Sequence, residues 1–129
     1  MMNTLLIVAG GRDFDDVGMF NEALYRFPSI LTTEFVNGMC ETGADRLARE
    51  YARKRGRKVH EFPADWDKFG PKAGPLRNGK MATYVSERRW AGIKGVLIAF
   101  WDGASNGTRS MINEALRHGL EVHVYRYSK

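Results

Sequence analysis

Two short, uninterrupted apolar runs constrain the fold of this chain most strongly. They cover residues 5–9 and 96–101, and both are far shorter than the ~20 apolar residues that a membrane-spanning helix requires. Continuous runs of this length are typical of central strands in a parallel sheet, which helices cover on both faces. Glycine-rich loops follow both runs. The pattern therefore predicts an α/β protein with these two strands at its centre.

The rest of the chain alternates between helical and strand-like patterns, as expected of βα units around a parallel sheet. Apolar residues at helical spacing predict four helices, which lie within residues 15–27, around the stripe 44–52 that ends before Gly56, at about 76–87 and at about 108–118. Three further strands are predicted at residues 34–37, 59–62 and 122–125. The segment 63–75 is rich in proline and glycine and is predicted to be a loop.

The polarity of each strand indicates its place in the sheet. Strands one and four are continuously apolar, whereas strands three and five alternate polar and apolar residues, which suits the edges. The expected fold is a single Rossmann-like, doubly wound domain over residues 1–129, with five mainly parallel strands in the order 3-2-1-4-5 and helices on both faces. Such folds bind ligands where the strand order reverses, which here lies between strands one and four.

Composition and charge narrow the class of partner. The chain has 129 residues, of which 43% are hydrophobic and 27% charged, so a disordered chain does not fit. Its single cysteine, Cys40, excludes an internal disulfide framework, and neither Cys40 nor the histidines show metal-ligand spacing. The net charge of +5 favours an anionic partner. Because no basic residue precedes the N-terminal apolar stretch, no signal peptide is expected and the predicted location is the cytoplasm.

The loops after the two central strands supply the first candidate site residues. These are Gly10, Gly11 and Arg12 after strand one, and Gly103, Gly107 and Thr108 after strand four. Glycine lets a ligand approach the backbone closely, and N–H groups at a helix start can hold a phosphate. The alternative for the first loop is an ordinary strand end. The alternative for the second is a flexible loop in which Asn106 or Thr108 caps the helix.

The start of the second helix offers another group of candidates. Gly43, together with Gly38 at the end of strand two, is a candidate for close approach to a ligand. Asp45 is a candidate for accepting a hydrogen bond from a ribose hydroxyl. Thr42 and Asp45 are spaced almost as a capping box, and capping is the favoured interpretation of Thr42.

Positive charge at the predicted helix starts is a third signal. Arg77 is predicted in the first turn of the third helix and Arg109 in that of the fourth, where a cation opposes the helix dipole unless an anion is bound. Solvated charge is the alternative, and it is the default for the basic run 53–58 at the opposite edge of the sheet. Asp65 and Trp66 follow strand three, and Trp66 would either stack on a base or simply pack.

Together these segments resemble the SLOG superfamily, in particular its small stand-alone YspA-like members from bacteria and phages. The matching segments extend over nearly the whole chain and are Gly10-Gly11-Arg12, Gly43-Ala44-Asp45, Pro63-Ala64-Asp65-Trp66, Lys72-Ala73-Gly74-Pro75-Leu76-Arg77-Asn78 and the loop from Gly103 to Thr108. The resemblance implies a Rossmann-like fold whose glycine loops surround a nucleotide or nucleotide-derived ligand. It also places Asn78 beside Arg77 among the site residues.

The resemblance is incomplete at one point. Relatives include cytokinin-activating phosphoribohydrolases, in which a catalytic glutamate closely follows the Gly-Thr of the last glycine loop. Here Arg109 follows Thr108, and the first acid is Glu114, nearly two helical turns further on. Arg77 would correspond to an arginine that contributes to catalysis in those enzymes. Candidates for the missing carboxylate are Asp45, Asp65 and Asp102.

The favoured hypothesis is a protein that binds a nucleotide-derived ligand of the ADP-ribose or NAD type, as a sensor or sequestering domain. One alternative is an N-glycosidase acting on a nucleoside phosphate, with Asp65, Asp45 and Arg77 as catalytic candidates. Another is a single-stranded nucleic-acid binding protein, which would make nucleic acid the partner. We expect no metal, no obligatory cofactor and no membrane partner, and a homo-oligomer is left open.

Overall fold

The computed structural model describes residues 2–27 and 30–128. Within them, the strands are β1 (Thr4–Gly10), β2 (Thr33–Asn37), β3 (Val59–Glu61), β4 (Lys94–Trp101) and β5 (Glu121–Arg126). The helices are α1 (Val17–Tyr25), α2 (Gly43–Lys54), α3 (Trp66–Phe69), α4 (Ala73–Ser86) and α5 (Asn106–Arg117). Short 3-10 turns lie at Ile30–Thr32, Gly70–Lys72 and Arg89–Ala91. No helix in the described ranges is long and apolar enough to cross a membrane.

The strands form one sheet in which every neighbouring pair is parallel. Their order is β3-β2-β1-β4-β5, which confirms the predicted order. Strand β1 is central, since Leu6 lies opposite Phe35 of β2 and Val96 of β4. Strands β2 and β3 are added on one side of β1, and β4 and β5 lie on its other side. The loops that follow these two strands therefore lie side by side at the carboxyl edge of the sheet.

Alternating side chains of the central strands divide the core into two layers. Leu6 and Val8 pack in one cluster with α1 and α2, and Leu5 and Ile7 pack in the other with α4 and α5. The fully buried residues that α2 contributes to the first cluster are all small, namely Ala44, Ala48 and Ala52, while Leu47 and Tyr51 pack against the cluster partly buried. Small side chains allow the helix to lie close to the sheet, since a buried interface must be filled without overlap. Helices thus cover both faces of the sheet, as the sequence predicts.

The start of α4 differs from the prediction. The helix begins at Ala73 rather than near residue 76, and the segment 63–75 contains α3 and a 3-10 turn rather than a continuous loop. Pro75 is the third residue of α4, where proline is tolerated because the first-turn N–H groups have no intrahelical acceptor. Arg77 therefore lies in the second turn, and the predicted conflict with the helix dipole is wrong for this residue.

The predicted helix caps also need correction. Thr42 precedes α2, but its side chain makes no capping hydrogen bond. Helix α5 begins at Asn106 and is capped by Ser105, whose Oγ accepts a hydrogen bond from the Thr108 N–H at 3.4 Å. Neither Asn106 nor Thr108 is the cap, because the helix starts earlier than its apolar stripe indicates. Arg109 lies in the first turn, as predicted.

Candidate functional site

A cleft of about 580 Å³ opens at the carboxyl edge of β1, β2 and β4. Its walls come from the loops after these strands and from the starts of α4 and α5, and we call it the central cleft. Most of the residues predicted from the sequence line it, namely Gly10, Gly11, Arg12, Gly38, Asp45, Trp66, Arg77, Asn78, Gly107 and Thr108. Four predicted residues, Gly43, Asp65, Gly103 and Arg109, do not line it. The sheet therefore brings distant segments of the chain to one cavity.

The glycines after β1 are surrounded by protein. A Cβ on Gly10 would lie 2.7 Å from the Cβ of Ala44, and a Cβ on Gly11 would collide with the Tyr127 hydroxyl. Gly43 has a φ of +73°, and a Cβ there would collide with the carbonyl oxygen of Gly11. These glycines let the start of α2 pack directly on the loop after β1. Packing alone accounts for the presence of glycine at these three positions.

The surroundings of Gly107 are open. A Cβ built on this residue meets no atom within 4 Å, although its neighbours in α5 line the central cleft. The preceding loop is held in place by Asp102, whose Oδ1 accepts hydrogen bonds from the N–H groups of Ala104 and Ser105 at 2.8 and 2.7 Å. The first N–H groups of a helix have no intrahelical acceptor. The start of α5 thus offers exposed donors to an anion in the cleft.

Gly103 and Arg109 belong to the outer side of the loop after β4. Gly103 has a φ of +87°, and a side chain there would collide with Arg126. The Arg109 guanidinium carbon lies 5.5 Å from the ring centre of Trp101, and Arg126 contacts the same ring at the same distance. The indole N–H of Trp101 donates to the Ser105 carbonyl at 3.1 Å. These contacts stabilise the loop from outside the cleft.

Arg77 connects α4 to the end of β2. Its Nη1 donates to the Gly38 carbonyl oxygen at 2.5 Å, and its Nε donates to the Asn78 Oδ1 at 3.0 Å. Asn78 in turn donates from Nδ2 to the Gly107 carbonyl oxygen at 3.3 Å and to the Ser110 hydroxyl at 3.2 Å. Asn78 therefore ties the starts of α4 and α5 together. The guanidinium is held at the cleft wall with two of its nitrogens already bonded to protein.

A buried carboxylate lies at the base of the cleft. Asp45 is only 8% exposed, and its Oδ2 accepts a hydrogen bond from the Cys40 N–H at 3.0 Å. Burial raises the pKa of Asp45, and the nearby charge of Arg77 opposes that rise. Burial and the Asp45 charge raise the pKa of the Cys40 thiol. Cys40 is therefore a poor nucleophile near neutral pH, since the thiolate is the reactive form.

Cys40 was not among the residues predicted for the site, and the turn that positions it has a recognisable cause. The Asn37 Oδ1 accepts a hydrogen bond from the Met39 N–H at 2.8 Å, and its Nδ2 donates to the Asp45 carbonyl at 3.0 Å. Met39 has a φ of +65°, which is uncommon for a residue other than glycine. The pair Asn37-Gly38 is the sequence signal for such a turn.

The acids proposed as substitutes for the missing glutamate are dispersed. The Asp65 Oδ1 accepts a hydrogen bond from the Lys68 N–H at 3.1 Å, which makes it the cap of α3, and Asp65 lines a separate cavity of about 230 Å³. Asp102 holds the loop before α5. Glu114 is paired with Arg117 and does not line the cleft. Of the three candidates, Asp45 alone lines the central cleft.

Two further expectations concern metal binding and the basic run 53–58. Across residues 2–27 and 30–128, no group of three or more His, Cys, Asp or Glu side chains could hold a metal ion. The basic run begins in the last turn of α2 and continues past the end of the helix. Parallel βα topology places this end of the helix at the edge of the sheet opposite the central cleft. There Arg57 donates from Nε to the Thr33 carbonyl at 2.9 Å, and Arg55 lies 3.5 Å over the Tyr51 ring. Arg57 thus has a structural contact.

The fold and the cleft define a Rossmann-like α/β protein whose cavity opens where the strand order reverses. The model of the YspA, cpYpsA-related SLOG family matches residues 4–69, about half of the chain, and the protein belongs to that family. This finding confirms the resemblance seen in the sequence. The match includes the loop after β1 and the start of α2, and it ends before Arg77 and Gly107. No curated protein sequence matches the chain.

Proposed function

We propose that this protein binds a nucleotide-derived ligand, such as ADP-ribose or NAD, in the central cleft and acts as a sensor or sequestering domain for it. The observation that carries the proposal is the open space at Gly107 in the first turn of α5. A phosphate there would accept hydrogen bonds from backbone N–H groups and interact favourably with the helix dipole. Membership of the SLOG family supports a nucleotide-related ligand.

Two arginines in the cleft support an anionic ligand. Arg12 and Arg77 both line the cleft, from the loop after β1 and from α4. The carboxyl groups of Asp13 and Asp45 also line the cleft. The raised pKa of Asp45 lowers the fraction of negative charge it carries at a given pH, and Asp13 accepts a hydrogen bond from the Tyr127 hydroxyl. Arginine binds phosphate through planar, paired N–H donors. The two arginines and the start of α5 would therefore surround a phosphate from different sides.

The size of the cleft favours a ligand larger than inorganic phosphate. Small-molecule sites in proteins usually have volumes of ~300–1,000 Å³, and the central cleft has about 580 Å³. A nucleotide uses such a volume by placing its sugar and base beyond the phosphate. The cleft also extends from the start of α5 to Gly38 and Trp66, so a ligand can contact segments that follow several strands.

Calorimetric titration tests the proposal directly. The 129-residue protein is titrated with ADP-ribose, NAD, adenosine monophosphate and inorganic phosphate, and the ligands are then recovered and analysed by chromatography. We expect the nucleotides to bind more tightly than phosphate, to raise the melting temperature and to be recovered unchanged. Absence of binding by every nucleotide at millimolar concentration would contradict the proposal.

A hydrolytic function has one structural observation in its favour, which is the position of Asp45 in the cleft beside Arg77. Cleavage of an N-glycosidic bond needs a carboxyl group to stabilise the oxocarbenium-like state, to activate water or to protonate the leaving group. The same chromatography reports the outcome, because an N-glycosidase releases free base. Release that is abolished in Asp45→Asn and retained in Asp65→Asn would favour the enzyme over the binding domain.

A further inference from the structure

A contact between an arginine and a tryptophan crosses the mouth of the central cleft. Arg12 follows β1, and Trp66 is the first residue of α3, which follows β3. Strand β2 lies between these two strands in the sheet, so the contact spans the carboxyl end of β2. The Arg12 guanidinium carbon lies 5.6 Å from the centre of the Trp66 ring, and both residues line the cleft.

Neither side chain is anchored by a hydrogen bond or salt bridge of its polar group to any residue that the structure describes. Trp66 is 46% exposed, and no residue in the described ranges accepts a hydrogen bond from its indole N–H. Trp101 differs, since its indole N–H donates to the Ser105 carbonyl. Arg12 is exposed and forms no salt bridge with the part of the chain that the structure describes. Both side chains can therefore exchange their mutual contact for contacts with a ligand.

The position of the Trp66 ring is set by a glycine beneath it. Gly74 is buried in the first turn of α4, and a Cβ there would lie 3.2 Å from the Trp66 Cη2. Without a side chain at this position, the ring rests against the helix start at the cleft wall. One edge of the indole is thus positioned by the protein, while nearly half of the residue remains accessible.

A nucleotide has a chemical partner for each of the two side chains. Its phosphate attracts the guanidinium of Arg12, and its base can stack on an indole face. A phosphosugar without a base has only the first of these groups. Taking the proposed function as the starting point, we infer that Trp66 is a specificity-determining residue that selects ligands carrying a base over phosphosugars, and that Arg12 leaves the indole when such a ligand binds.

Matched ligands test this inference. The 129-residue protein is titrated by calorimetry with adenosine monophosphate and with ribose 5-phosphate, which share a sugar phosphate and differ by the base. We expect the monophosphate to bind more tightly. Trp66→Leu should weaken its binding by about tenfold and leave ribose 5-phosphate unchanged. Trp66→Phe should retain most of the affinity, since it keeps an aromatic face. Trp90→Leu, which replaces an 89% exposed tryptophan outside the cleft, should behave as the unmodified protein.

The outcomes distinguish a failure of the inference from a failure of the proposed function. Equal weakening of both ligands by Trp66→Leu would show that the ring is only a wall of the cleft, and no change would show that it does not contact the ligand. Either result overturns the inference. Equal affinity of the unmodified protein for both ligands would also overturn the inference, but it would leave anion binding in the cleft supported. If neither these ligands nor ADP-ribose bind, the proposed function fails and the inference fails with it.

Discussion

The two loops at the carboxyl edge of the sheet are both rich in glycine and differ in their surroundings. The loop after β1 is enclosed, because Gly11 is bounded by Tyr127 and by Asp13 and its carbonyl lies against Gly43. The loop after β4 is enclosed only on its outer side, and Gly107 opens onto the central cleft. Glycine therefore serves close packing of protein in the first loop and access for a ligand in the second. Neighbouring atoms, and not the glycine itself, determine which use applies.

The enclosure of the first loop comes from segments distant in sequence. The Tyr127 hydroxyl donates to the Asp13 Oδ1 at 2.9 Å, and the rings of Phe14 and Phe100 stack with centres 4.5 Å apart. Burial and the negative charge of Asp13 raise the pKa of Tyr127, so the phenol stays protonated and remains a donor. These contacts fix the backbone from which Arg12 projects.

The largest effect is expected from Gly43→Ala, which tests whether the first loop is a packing contact. The variant must place a Cβ at a φ of +73° and against the Gly11 carbonyl. Left-handed strain of ~1–2 kcal/mol and overpacking of ~1–3 kcal/mol should together lower the free energy of unfolding by about 3 kcal/mol. Chemical denaturation measures the change.

Gly56→Ala is the matched control for that experiment. Gly56 has a φ of +65°, but a Cβ there meets no atom within 4 Å. It should therefore show only the cost of the left-handed backbone, ~1–2 kcal/mol. Equal destabilisation by the two variants would mean that Gly43 is present for its backbone conformation alone, and the packing interpretation of the first loop would be wrong.

The next effect in size tests the open loop. Gly107→Val places a branched side chain at the start of α5 in space that is empty of protein atoms. We expect binding of ADP-ribose to weaken by about a hundredfold, or ~2.7 kcal/mol, while the free energy of unfolding stays within ~1 kcal/mol of the original. Calorimetry and chemical denaturation measure the two quantities. Gly107→Ala should give a smaller loss of affinity, and unimpaired binding by the valine variant would place the phosphate elsewhere.

The strand order was predictable because the two central strands are apolar without interruption while the edge strands alternate. Strand polarity reports directly how many faces of a strand are covered. The start of α4 was not predictable in this way, because Pro75 has the same sequence signature in a loop and in the first turn of a helix. The cap of α5 was missed for a related reason. Ser105, Asn106 and Thr108 are all good cap residues, and tertiary position decides among them.

The candidate site was predictable to the level of its loops and not of its individual contacts. The switch point of the sheet follows from strand order, so the loops after β1 and β4 could be located. The burial of Asp45 and its hydrogen bond from the Cys40 N–H depend on a turn that Asn37 stabilises. Likewise, the separation of Asp65 from the cleft depends on α3, which the sequence pattern did not indicate. Such contacts join segments whose relative positions are set only by the folded chain.

A smaller effect is expected from pH. It concerns Asp45, the buried acid in the first turn of α2, the helix whose start packs on the loop after β1. The folded-state pKa of Asp45 is raised above its ordinary value of 3.8, so between these two pKa values the folded protein binds more protons than the unfolded chain. Its contribution to stability therefore falls as pH rises through this window. Asp45→Asn should become more stable relative to the original protein from pH 4 upward and then level off. Denaturation at several pH values measures this, and parallel stability curves would contradict a raised pKa for Asp45.

The smallest effect is expected from Arg55→Ser, which tests whether ligand binding belongs to the carboxyl edge at all. Arg55 caps the end of α2 at the opposite edge, and its guanidinium lies over the Tyr51 ring. Its replacement should leave the affinity for ADP-ribose unchanged within a factor of two in calorimetry. Arg57 is unsuitable for the same test, because its Nε donates to the Thr33 carbonyl and its loss would perturb the fold. A steep salt dependence of oligonucleotide binding that is reduced by Arg55→Ser would instead assign the basic run to nucleic acid, since each lost phosphate contact lowers the salt slope by about one. Such a result would make the opposite edge a nucleic-acid surface, and the Gly107→Val variant would still decide whether ADP-ribose binds at the carboxyl edge.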